Sequence, residues 1–275
     1  MTLLTKAFIG SLYHPRVTDS HKGDHGHVLL VAGSADKMGA AVIAARACLR
    51  SGAGLLTIRV ARDAASVIQM AIPEAMLLFS AKKKIDFLKY TAVGIGPGIG
   101  VTTESLKVVQ QVLKHCTLPV IYDADALNHF STHPSLWLKA PTGSIITPHA
   151  REFDRLFGPH ASEKDRIQTA TQKSKEFGII IVLKSHRTHI FYQGKIYKNT
   201  TGNAGLAKGG SGDALSGIIA SFLAQGYEAI HAALLGVYIH GLAADITLHT
   251  QSLESMLITD VIENLGMAFK SLQKK

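Results

Sequence analysis

Short apolar runs ending at glycine or acidic residues alternate along the chain with longer stretches of helical spacing. His27–Val31 predicts a strand, Gly33–Gly39 a turn, and Ala40–Ser51 an alanine-rich helix stopped by Gly52 and Gly54. Leu55–Val60 predicts the next strand. This β-α-β order calls for a parallel sheet. Further strands are expected at Thr91–Ile95, Pro119–Asp123, Ser144–Thr147 and Gly178–Lys184. The last is fully apolar, as in a central strand covered on both faces. A short helix is expected at Ala126–Phe130 and a polar amphipathic one at Ser162–Phe177. Ser185–Asn199 alternates and breaks at Gln193–Gly194, which predicts a hairpin. An apolar run, Ala214–Leu223, starts a helix, and Tyr227–Leu248 and Ile258–Leu272 predict two more. Residues before Thr18 are weakly periodic, as in a short leading helix or arm. With no repeat, low-complexity segment or linker, residues 1–275 read as one domain.

Composition narrows the class. Apolar residues make up 47% of the 275, enough for a sizeable core and against disorder. The formal charge is +9, but the cations are scattered apart from one short run, Lys82–Lys84. That pattern suits a small anionic ligand and lacks the basic face, interleaved with aromatics, that a nucleic-acid binder needs. No apolar run reaches membrane-spanning length, and the N-terminus lacks the ordered segments of a signal peptide. Cys48 and Cys116 lie in apolar helical settings with no CxxC, which fits a reduced, cytoplasmic protein. The fourteen histidines show no HExxH or metal-finger spacing.

The candidate chemistry centres on Thr201–Gly217, TGNAGLAKGGSGDALSG. Gly209, Gly210 and Gly212 allow close backbone approach just before a helix, where free N–H groups and the helix dipole favour an anion. Asp213, with no cation adjacent in the chain, is the candidate general base for a hydroxyl that attacks phosphorus. The alternative role for this stretch is a surface loop with a capping Asp. Other loops fall at the same sheet end, where open α/β sheets bind ligands. GIGPGIG, Gly94–Gly100, matches neither the dinucleotide fingerprint nor the Walker sequence. Asp123 and Asp125 could face one side of an extended segment, touching a metal, capping the next helix or fixing a loop. His149 opens a helix with Glu152 on its face. Lys184 and the Ser185–Thr188 turn end the central strand.

Taken in order, HKGDHGHVLLVAGS, MGAAVIAARACLRSGAGL, VGIGPGIG, PVIYDADALN, ITPHAREF, IVLKSHRTHI and GNAGLAKGGSGDALSGIIASFLAQG resemble the NAD(P)H-hydrate dehydratase family. The resemblance covers roughly Ser20 to Asp245. It implies a ribokinase-like three-layer α/β/α sandwich with a central, mostly parallel sheet. It also implies a reaction: phosphoryl transfer from ADP, or ATP in many eukaryotic members, to the hydroxyl of the S-epimer of NAD(P)H hydrate. Phosphate then leaves and the ring is restored, a lyase outcome from a kinase-shaped site. Matched position by position, Asp213 is the catalytic aspartate and also contacts the hydrate, with Ala40, Gly100 and His149. Lys184, Ser185, His186, Arg187 and Thr188, with Gly209, Gly210, Ser211 and Gly212, match the nucleotide-binding segments. Ser185 stands where the family commonly has Gly, and Ala150–Arg151 replaces its usual Pro–Gly. Glu152 looks like the residue that orients Mg²⁺-bound water in kinases of this fold, an analogy at fold level; no direct protein ligand to the metal is assigned. The resemblance further implies a homo-oligomer, a tetramer in the family. The family's additional epimerase domain finds no place in this length, so a stand-alone dehydratase is expected. Two other functions compete: a vitamin or sugar kinase of the same fold, whose product keeps its phosphate, and a non-catalytic nucleotide sensor, which would not need Asp213.

Overall fold

The structure, a computed structural model, describes residues 1–79 and 84–273. Lys82 and Lys83 of the basic run therefore lie outside the described residues. The strands are β1 (Thr2–Leu4), β2 (His27–Val31), β3 (Leu55–Val60), β4 (Met76–Phe79), β5 (Ala92–Ile95), β6 (Val120–Tyr122), β7 (Ile145–Ile146), β8 (Ile180–Leu183), β9 (His189–Tyr192) and β10 (Lys195–Asn199). The helices are α1 (Lys6–Leu12), α2 (Met38–Arg50), α3 (Ala65–Ala71), α4 (Thr103–His115), α5 (Asp125–Thr132), α6 (Ala150–Phe157), α7 (Glu163–Phe177), α8 (Ser211–Ala224), α9 (Ala229–Thr247), α10 (Ile258–Glu263) and α11 (Leu265–Leu272).

Among the described residues the strands form one sheet in the order β1-β10-β9-β8-β7-β6-β5-β2-β3-β4. Only β9 runs antiparallel to its neighbours. Period-two alternation splits each central strand between two cores. In β2, Val28 and Leu30 join α1–α3 and α8–α11 on one face, while Leu29 and Val31 join α4–α7 on the other. This is the ribokinase-like three-layer sandwich. Helix α8 lies close on α2 because Gly217 carries no side chain: a Cβ there would sit 2.0 Å from the Ala44 carbonyl oxygen. Helix α9 has the length and apolar composition to cross a membrane, but 67% of that span is buried in the protein, as in a core helix.

The expected hairpin forms, with Gln193 and Gly194 at φ 48° and 78°, the left-handed pair of a tight two-residue turn. Four elements go beyond the sequence reading. Strand β1 adds in parallel to β10. Strand β4 closes the opposite edge with its end residues exposed, so its alternation carries little contrast. Helices α3 and α4 fill stretches to which no element had been assigned. The Thr102 cap and the spacing of Val108, Val109, Val112 and Leu113 are the local signal for α4.

The order reverses between β2 and β5, since β2 leads outward to β3 and β5 leads to β6. The loops after these strands meet there, with Gly33 donating from its backbone N–H to the Pro97 carbonyl at 2.8 Å. Asp123, His149 and Lys184 follow β6, β7 and β8 at the same end of the sheet. Parallel strand direction therefore gathers residues far apart in sequence onto one edge.

Candidate active site

Lys184 directly follows β8, and its ammonium donates to Asp123 Oδ1 at 3.1 Å and lies 3.9 Å from Glu152 Oε2. Ser216, in α8, donates to Asp123 Oδ2 at 2.7 Å. Asp123 is 1% exposed, so this pair and the Ser216 bond hold a charge that burial alone would neutralise. Burial pushes the Asp123 pKa up, but the Lys184 charge and the hydrogen bonds outweigh it and leave the carboxyl below its ordinary value. Burial likewise opposes the charge on Lys184, and Asp123 and Glu152 more than restore it, so its pKa is raised.

The glycine loop delivers the α8 N-terminus onto this pair. Gly210 sits at φ 92°, a left-handed conformation that ends the loop. At Gly212 a Cβ would stand 2.9 Å from Lys184 Nζ and 3.4 Å from Asp123 Oδ2, so the missing side chain admits the ammonium to the first turn of the helix. Asp213 follows in that same turn. Its carboxylate has no hydrogen-bond or ion-pair partner among the described residues. Burial first, then the charges of Asp123, Asp125 and Glu152, raise its pKa to about 6, against the opposing pull of Lys184. The chain lacks an adjacent cation in sequence, and the fold supplies one through space. A carboxyl poised there is mostly ionised at neutral pH and readily takes a proton.

His149 and Glu152 form a reciprocal cap on α6. Glu152 Oε2 accepts from His149 N at 2.8 Å, and His149 Nδ1 accepts from Glu152 N at 3.2 Å. Burial, then Lys184 and Arg155, lower the His149 pKa against Glu152, so the imidazole is neutral at pH 7 with its N–H on Nε2. Asp125 fixes a loop rather than capping α5. It accepts from Gly100 N at 2.9 Å and pairs with Lys37 at 3.4 Å, because Ala124, at φ 46°, ends the extended segment that would have aligned it with Asp123.

A cavity of about 660 Å³ opens beside Lys184. His149, Lys184, Ser185, His186, Thr188, Gly209, Ser211 and Gly212 line it. Arg187 does not: its guanidinium donates to the Thr200 carbonyl at 3.3 Å. Ala40 and Gly100 also stand outside it, beside Gly98, Lys37 and Asp125. Two parts of the site have little sequence signal, the Ser216 bond to Asp123 and the α9 wall with His240. A polar residue in an apolar helix is the one local hint for the second.

Residues 28–266 match the family model described as NAD(P)H-hydrate dehydratase. The chain belongs to that family. It is 35% identical to the ADP-dependent (S)-NAD(P)H-hydrate dehydratase of Bacillus subtilis, over 98% of each chain. A crystal structure of an ADP/ATP-dependent NAD(P)H-hydrate dehydratase from the same organism, co-crystallised with ATP and Mg²⁺, superposes with a TM-score of 0.87 at 32% identity, covering 99% of each chain. The bifunctional NAD(P)H-hydrate repair enzyme of Moorella thermoacetica is 33% identical over 99% of this chain, which spans 54% of that relative's length. Likeness to a hydroxyethylthiazole kinase from Pyrococcus horikoshii, TM-score 0.65 at 13% identity over 89% of each chain, shows the ribokinase-like fold alone.

Proposed function

We propose that the chain, a lyase, dehydrates the S-epimer of NAD(P)H hydrate with ADP as co-substrate, yielding NAD(P)H, AMP and phosphate. The observation that carries this reading is the unpartnered, half-buried Asp213 carboxylate near Lys184 at a helix N-terminus. Asp213 takes the proton of the hydrate hydroxyl as that oxygen attacks the terminal phosphorus and AMP departs. Phosphate then leaves this ester with the C–O electrons, and a proton lost from the neighbouring ring carbon restores the double bond. Lys184 and the amides of Gly209–Gly212 hold the phosphates, so most of the catalysis is positioning and charge neutralisation. Lys184–Thr188 takes the nucleotide, with Arg187 acting through the backbone it supports. Ala40 and Gly100 hold the hydrate, and His149, which lines the cavity, can donate to it from Nε2–H.

Mg²⁺ fits this site as a phosphate-bound ion rather than a caged one. Among the described residues no group of three or more His, Cys, Asp or Glu could hold a metal. Asp213 and Glu152 are the carboxylates that would face the ion's water, and the excess acidic charge that raises the Asp213 pKa is the observation that suits a cation. When bound, the ion would neutralise phosphate charge.

Residues 1–275 act as one functional domain in a cytoplasmic homo-oligomer that uses neither nucleic acid nor membrane. The single sheet, the two free, buried thiols and the exposed Met76 and Phe79 on edge strand β4 support it.

The test is incubation of the full chain with (S)-NADH hydrate and Mg²⁺, with ADP, with ATP and without nucleotide. Turnover with ADP at least matching ATP is expected, releasing NADH, AMP and phosphate in equal amounts. A stable phosphoester would favour the small-molecule kinase reading. Turnover with ATP alone would refute the choice of ADP.

A further inference from the structure

The cavity beside Lys184 combines two kinds of lining. One is polar and suits phosphate, made by Lys184 and the loop amides at the start of α8. The other is apolar. Leu215 lies one turn further along α8, and Leu206 and Val237 complete that wall. Val237, His240 and Gly241 occupy one face of α9 by their spacing of three and four. They put the His240 imidazole beside the aliphatic side chains of Val237, Leu206 and Leu215 in the lining.

His240 is 6% exposed, and its Nε2 has no hydrogen-bond partner among the described residues. Nε2 is enclosed, whereas Nδ1, which also has no partner among the described residues, is open to a ligand in the cavity, and a buried polar group left unmatched is costly. Burial first, and Lys184 second, lower the His240 pKa to about 4, so at neutral pH the ring is uncharged and offers one N–H and one lone pair. An uncharged imidazole is a weak partner for phosphate and a good one for the ring nitrogens and amino groups of a base.

The wall around it is held in place before any ligand arrives. Asp245, just over a turn further along α9, accepts from Gly202 N at 2.9 Å and from Asn203 Nδ2 at 3.1 Å. Gly241 lets the Thr201 backbone press against the helix, since a Cβ there would stand 2.5 Å from Thr201 Oγ1. A pocket fixed in this way loses little on ordering a flat aromatic guest.

We propose that His240 reads the base of the bound nucleotide, through one hydrogen bond beside the apolar lining of the cavity. This rests on the assignment of the cavity to an adenine nucleotide. Calorimetric titration of the full chain with ADP, and with pyrophosphate as a probe that has no base, tests it. His240→Phe keeps the ring volume without the hydrogen bond, and His240→Asn keeps a shorter polar group. His240→Phe should weaken ADP about tenfold while pyrophosphate stays within about twofold, and His240→Asn should fall between parent and Phe. If the Phe variant does not fold by its melting curve, the Asn variant decides on the same two probes. Equal weakening of both probes, or an unchanged ADP Kd, would overturn the role of His240. If the parent binds no ADP, the nucleotide assignment fails and this proposal with it. If the parent binds ADP and the variants match it, only the role of His240 fails.

Discussion

Asp213→Asn separates the two jobs that one carboxylate can do at a helix start. In the parent, burial and three acidic neighbours raise the pKa from 3.8 to about 6. The ionised form is therefore the less stable one in the folded state. That shift corresponds to about 3 kcal/mol of destabilisation once the group is charged. The α8 N-terminus favours a negative charge by up to about 1 kcal/mol, which Asn forgoes. The variant should then be about 2 kcal/mol more stable at pH 8, a rise in Tm of roughly 4 °C for a chain of this size. The sign follows from linkage. Below about pH 4 the parent's carboxyl is protonated in both states and the gain vanishes. It grows between about pH 4 and 6 and is constant above. Activity moves the other way. Loss of the base should cut kcat by about two to four orders of magnitude. The parent's kcat should fall as pH drops through about 6, and the variant should lack that limb. Urea melts at several pH values, ADP titration and a pH–rate profile measure all of this. A variant that binds ADP and turns over within about tenfold of the parent would remove Asp213 as the base. A stability gain equal at pH 4 and pH 8 would show that the Asp213 pKa is not raised in the folded protein.

Lys184→Met strands the Asp123 carboxylate, 1% exposed, beside an apolar chain, and should cost about 3–5 kcal/mol in urea unfolding. Adding Asp123→Asn should recover most of that stability but none of the ADP binding, and recovery of both would remove Lys184 from the phosphate site. Gly217→Ala places a methyl group against the Ala44 carbonyl and should cost about 1–3 kcal/mol in urea unfolding, whereas Gly266→Ala, with open space around it in α11, should not destabilise.

Local features carried much of the fold. Helix and strand periods marked β2, β3, β5 and β8, Gln193–Gly194 marked the hairpin, and the spacing of His149 and Glu152 marked a helix start that proved to be a reciprocal cap. The glycine loop before α8 was legible for the same reason: backbone freedom and helix initiation are properties of adjacent residues. Edge strands β1 and β4 were not, because an edge is defined by its partner and not by its own pattern. The active-site charges were decided by tertiary structure alone. Asp123 meets Lys184 across 61 residues and Ser216 across 93, and the burial of Asp213 together with the carboxylates gathered around it makes Asp213 basic. The sequence supplied the groups for phosphate chemistry. Their pKa values, the Arg187 bond to Thr200 and the imidazole in the α9 wall depend on which distant charges and surfaces the sheet order brings within a few ångströms.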